Sequence, residues 1–105
     1  GFYRAEPDAL ARVRAAIDDE RSGTQLQGLV EGYRDDGWLI TGDSLRTSPR
    51  GFTKDHPRIE LLRYRSLSAM REVTATGEEA FAEQVRGIWR GAAPLVDWLA
   101  RRLND

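Results

Sequence analysis

Cysteine is absent from the 105 residues, and histidine occurs once, as His56. The first absence removes disulfides, thiol catalysis, iron–sulfur clusters and cysteine-based zinc sites. The second excludes a multi-histidine metal centre within one chain. No metal and no cofactor is expected. No apolar stretch approaches the roughly 18 residues that span a bilayer, and no secretory hydrophobic region is visible. The reading is therefore a cytoplasmic protein with no membrane partner. Neither sign of charge is in excess: 16 basic side chains stand against 17 acidic ones, for a net charge of −1. Nucleic acid, which calls for a basic face, is not an expected partner. Lysine is nearly missing, with Lys54 alone beside 15 arginines. Codon usage in a GC-rich, bacterial genome accounts for the overall bias, and only local arginine clusters need a physical account. Repeats, low-complexity tracts, a nucleophile elbow, a phosphate-binding P-loop and a dinucleotide fingerprint are all lacking.

What is present suits one small α+β domain, or the C-terminal part of a larger one. The chain opens on Gly1-Phe2-Tyr3-Arg4 without an initiator methionine. That start reads as the middle of a strand and suggests a piece of a longer protein. Pro7 suits the first turn of a helix over about 7–20, whose apolar stripe is Leu10, Val13 and Ile17. Ser22-Gly23 is read as a break, and Thr24 with Gln27 as the capping box of a second helix. That helix carries Leu26, Leu29, Val30 and Tyr33 and ends at Gly37. Residues 38–41 form a short strand. The stretch from Asp43 to His56 is a long loop, and loops of that length are often functional. Asp55 or His56 is positioned to cap a short helix with Pro57 in its first turn. Period-two alternation then predicts a strand within 64–74. Thr76 and Glu79 form a second capping-box pair. The last helix has Phe81, Val85, Ile88, Ala92, Leu95 and Leu99 on one seam, with a kink or break expected near Pro94. The fold class is α+β, a small and mostly antiparallel sheet packed against helices.

Residues 45–52 (Leu-Arg-Thr-Ser-Pro-Arg-Gly-Phe), then Asp55-His56-Pro57 and Glu60-Leu61-Leu62-Arg63, resemble the C-terminal half of the DUF2461 family of unknown function. The opening aromatic segment with its helix, and Pro94-Leu95 followed by Trp98-Leu99, fit the same pattern. The likeness covers nearly the whole chain and is specific over 45–63. Arg46 stands where the family commonly has lysine. The resemblance implies an N-terminal half that this sequence does not contain. It also implies apolar surface covered by that half or by a second copy of the chain. No activity comes with it.

The 45–63 stretch holds Arg46, Arg50, Lys54, His56, Arg58 and Arg63 against two acids, Asp55 and Glu60. Three readings fit. In the first, Arg46, Arg50, Lys54, His56 and Arg63 bind a small anionic ligand bearing phosphate or carboxylate, helped by the helix start near Pro57. In the second, the chain is an enzyme acting on a phosphorylated substrate, with His56 as proton carrier. In the third, the loop belongs to a structural or interaction module and is locked by salt bridges, with Arg50 and Arg63 on Asp55 and Glu60. Trp38, Trp89 and Trp98 are read as packing residues.

Overall fold

A computed structural model describes residues 3–4 and 7–103. The elements are β1 (Tyr3–Arg4), α1 (Pro7–Asp18), α2 (Glu20–Asp35), β2 (Leu39–Thr41), α3 (Ile59–Leu62), β3 (Ser66–Met70) and α4 (Glu78–Leu103). The α+β class and the long C-terminal helix are as the sequence indicates. Gly1 and Phe2 of the expected first strand lie outside the described residues.

Helix α1 starts at Pro7 and buries Val13 and Ile17. It ends four residues before the expected break. Asp19 is extended (φ −62°, ψ 126°), and its carboxylate accepts hydrogen bonds from the Arg21 and Ser22 backbone N–H groups at 3.0 and 3.1 Å. Asp19 thus caps α2, and the Thr24–Gln27 box does not form. Thr24 instead donates its hydroxyl back to the Glu20 carbonyl at 2.6 Å, inside the helix. Gly23 is a helical residue, and its smallness serves a tertiary contact described below. Helix α2 buries Leu26, Val30 and Tyr33, and Gly37 with φ +88° turns the chain out of it, where glycine alone pays no steric penalty.

Strand β3 is central in the order β1-β3-β2, and both pairings are antiparallel. Ile40 and Leu67 face the core. Leu39 pairs with Met70 on the outer face, and both are at least half exposed. The strand stops at Met70 rather than reaching 74. Its partner begins at Leu39, so no further ladder is on offer. Arg71 then ties the departing chain to the Asp36 carboxylate at 2.8 Å.

The core is one cluster to which α1, α2, β2, α3, β3 and α4 all contribute. Tyr33 and Trp38 meet edge to face, with ring centroids 5.0 Å apart. Ala92, Leu95, Trp98 and Leu99 of α4 are buried, and Ile88 packs against the cluster. Earlier along the same seam, Phe81 is half exposed, and neighbouring Trp89 is 68% exposed.

One expectation about α4 is corrected, and of the kink or break expected near Pro94 the break is absent. The Thr76–Glu79 capping pair is not made. Gly77 enters with φ +89°, and the Gln84 side-chain oxygen accepts the Thr74 and Ala75 N–H groups at 3.1 and 2.8 Å. The helix also runs unbroken through Pro94. Pro94 and Arg90, whose carbonyl loses its partner, are both exposed, so water can serve that group. One turn away the Tyr33 hydroxyl donates to the Gly91 carbonyl, linking α2 to α4.

Candidate functional site

The segment between β2 and α3 begins as an extension of the sheet. Leu45 N–H donates to Arg63 O at 2.9 Å, Arg65 N–H donates to Asp43 O at 2.7 Å, and Ser44 bridges to Tyr64. Gly42 is confined here, since a Cβ would collide with the Ser66 carbonyl. Farther on, Pro49 is fully buried and Phe52 packs against the core. Gly51, with φ +91°, makes the turn between them. The tip is therefore a folded loop with its own anchors.

Its far end is clamped to the corner between α1 and α2. The His56 Nε2 lies 2.8 Å from Asp18 Oδ1, and the Arg58 backbone N–H donates to His56 Nδ1 at 3.0 Å. Nδ1 must be unprotonated to accept that bond, which makes the ring the neutral tautomer with its proton on Nε2, donated to Asp18. Arg58 is the buried charged residue of the core region, at 8% exposure. Its Nε donates to Ile17 O at 2.7 Å and its Nη2 to Asp18 O at 3.0 Å. These are terminal carbonyls of α1, which otherwise lack intrahelical partners. A cation there also opposes the negative end of the helix dipole, and α1 has no basic residue of its own in its last turn. Gly23 makes room for this arrangement, because a Cβ would collide with both Ile17 O and Arg58 Nε.

Helix α3 departs from the expected capping. It starts at Ile59, its N-cap Arg58 makes no side-chain cap bond, and Pro57 precedes it. Asp55 is exposed, while the His56 ring meets the Arg58 N–H in the turn before the helix. At four residues it is too short to offer a useful dipole to an anion.

The residues singled out from the sequence fall into two sets. His56 sits with Arg58 in the clamp, next to Phe52 at 6.0 Å between ring centroids. Arg46, Arg50 and Lys54 are exposed on the loop, and among the described residues none of them has a carboxylate partner. Arg63 is half-buried, and its Nε is a buried donor without a hydrogen-bond partner. The expected pairs of Arg50 and Arg63 with Asp55 and Glu60 are not formed. The acids that matter are elsewhere: Asp18 was missed, although two acids at the C-terminal end of a helix without a basic residue call for a cation from outside. A cleft of about 300 Å³ opens behind the clamp, lined by Gln27, Glu31, Arg34, Arg58 and Glu60 among others. Arg46, Arg50, Lys54, His56 and Arg63 do not line it. Among the described residues no group of three or more metal-ligating side chains comes together, and no helix is long and apolar enough to cross a membrane.

A family model described as a conserved hypothetical protein (DUF2461) matches residues 1–98. The chain belongs to the DUF2461 family. The match takes in the loop, the clamp and the helix corner that receives it. Neither the curated proteins nor the solved structures contain a significant match.

Proposed function

We propose that this DUF2461 chain is a non-catalytic binding module whose clamped loop presents Arg46, Arg50 and Lys54 to a small anionic group, a phosphate or a carboxylate. The division of labour among the cations carries the reading. His56 and Arg58 are consumed in fastening the loop, whereas Arg46, Arg50 and Lys54 are exposed and lack carboxylate partners. A fastened loop loses less conformational freedom on binding than a free one, and arginine's planar fork suits both anions. An acid–base role for His56 is less well supported, because both ring nitrogens are already engaged and neither is free to exchange a proton with substrate.

Titration of the protein with inorganic phosphate, followed by amide chemical shifts, tests this. The expected result is movement of the 45–55 amides that is lost in Arg50→Ala, with the His56→Ala variant less stable. Unchanged phosphate affinity in Arg50→Ala would overturn the reading. So would phosphatase turnover that disappears in a folded His56→Ala variant.

A further inference from the structure

A second group of arginines gathers where the start of α2 meets the end of α4. A cleft of about 470 Å³ lies between the start of α2 and the end of α4, lined by Asp19, Arg21, Ser22, Gln25, Arg101 and Arg102. We propose that this cleft binds a doubly charged oxyanion, the phosphate or pyrophosphate portion of a small phosphorylated molecule.

The charge balance is the first reason. Among the described residues lining the cleft, three arginines stand against one acid, Asp19, whose Oδ1 already accepts the Arg21 and Ser22 N–H groups and whose carboxylate also feels the Arg21 charge. Those bonds, the one from Ser22 foremost, hold its carboxyl below the ordinary value of 3.8. Among the described residues the side chains of Arg21 and Arg101 have no hydrogen bond or ion pair. Arg71, Arg86 and Arg90, on other parts of the surface, each have a carboxylate. One carboxylate offsets only part of three positive charges, and an anion between them removes the repulsion that remains.

The helix termini sharpen the case. Arg101 and Arg102 lie in the last turn of α4, where a cation is favoured by the dipole alone. Arg21 lies in the first turn of α2, the positive end, where the dipole disfavours it. Helix electrostatics accounts for two of the three arginines and is opposed by the third.

The cleft is also held in shape. Trp98 Nε1 donates to Ser22 O at 3.0 Å, joining α4 to the start of α2. The Arg102 guanidinium lies 4.3 Å from the Trp98 ring centroid and donates through Nη1 to Trp98 O at 3.0 Å. Arg12 Nε on α1 donates to Arg102 O at 2.8 Å. Arg102 is thus set in one orientation before any ligand arrives, which reduces the entropy lost on binding. The indole face and N–H are already used, so the cleft suits the charged end of a ligand rather than a stacked base.

The test is a titration of the full chain with pyrophosphate at physiological ionic strength, followed by the Trp98 indole N–H and by the amides of 19–25 and 99–103. Saturable shifts there are expected. Arg21→Gln and Arg101→Gln should each weaken binding by about tenfold, the usual scale for one charge-assisted contact. Among the described residues neither side chain makes a tertiary hydrogen bond, so both variants should stay folded, with melting temperatures moved only by the small change in helix-end charge, down for Arg101→Gln and up for Arg21→Gln. Arg50→Gln should leave this site unaffected, which separates it from the loop. Citrate, run in parallel, distinguishes the sources of charge: weaker binding than pyrophosphate supports a phosphorylated ligand, and equal or tighter binding overturns that assignment. Shifts that fail to saturate, or pyrophosphate binding that survives both substitutions and is lost in Arg50→Gln, would overturn the site itself.

Discussion

Arg58 concentrates more of the structure's logic than any other side chain. Among the described residues this buried cation has no carboxylate partner, and its two side-chain bonds go to the carbonyls that end α1. Arg58→Ala removes both bonds and strands those carbonyls. We expect a loss on the order of 3 kcal/mol, read from urea denaturation. Arg58→Lys should recover only part of it, since an ammonium lacks the fork that reaches two carbonyls at once. Gly23→Ala tests the same contact from the other side. Alanine is normally the better helix residue by roughly 1 kcal/mol, yet here its Cβ meets Ile17 O and Arg58 Nε. The variant should melt below wild type, and a melting temperature equal or higher would contradict the packing described. This residue-scale chemistry was only partly legible in the sequence. The cationic stretch stood out, but not its split into fasteners and free groups. Asp18 and His56 are 38 positions apart, and no local pattern joins them. The one signal was electrostatic, the uncompensated Asp18-Asp19 pair where a helix favours cations.

Among the elements, legibility followed how local each signal is. The stripes of α1 and α2, the glycine exit at Gly37 and the seam of α4 from Ile88 onward depend on near neighbours and appear where periodicity puts them, whereas Phe81 on the same seam is half exposed. The boundaries that moved are those set by distant partners. Gly23 looked like a break because its tertiary partner was out of view. The strand ending at Met70 was overextended because its length is decided by where β2 begins. No break occurs at Pro94, because the packing of Leu95, Trp98 and Leu99 outweighs one missing bond. The cap at Asp19 has a measurable signature. Its carboxyl is lowered chiefly by the Ser22 N–H bond, so its stabilisation is complete above the unfolded value near 3.8 and is lost as pH falls through the folded value. Asp19→Asn keeps a capping oxygen without that titration. Thermal melts between pH 5 and pH 2.5, a window of about that position, should show a smaller loss in the variant than in wild type. Equal losses would mean that the cap is not acting through its charge. Tyr33→Phe probes the α2–α4 link. Burial pushes the phenol above its usual range, and loss of its bond to Gly91 should cost about 1 kcal/mol, measured by denaturation at neutral pH.

Over the whole molecule, stability is unevenly distributed. The body gathers around the second half of α4, whereas Phe81 and Trp89 belong to a first half with little covering it. At 26 residues the helix is about 39 Å long, against a longest molecular dimension of 50 Å. Amides of 82–91 should therefore exchange with solvent faster than those of 95–102, and equal protection would show the exposed half to be more firmly held than its packing implies. The clamp has a different consequence, for the order of events in folding. Helices α1 and α2 are adjacent in sequence and can associate early, but Arg58 and His56 reach their corner only after a long loop has closed. Their contacts should form on the native side of the folding barrier. Arg58→Ala would then accelerate unfolding and leave the refolding rate nearly unchanged, a φ-value close to zero. The residues that fasten the loop would then act mainly by setting how long the folded molecule lasts, with little influence on how quickly it forms.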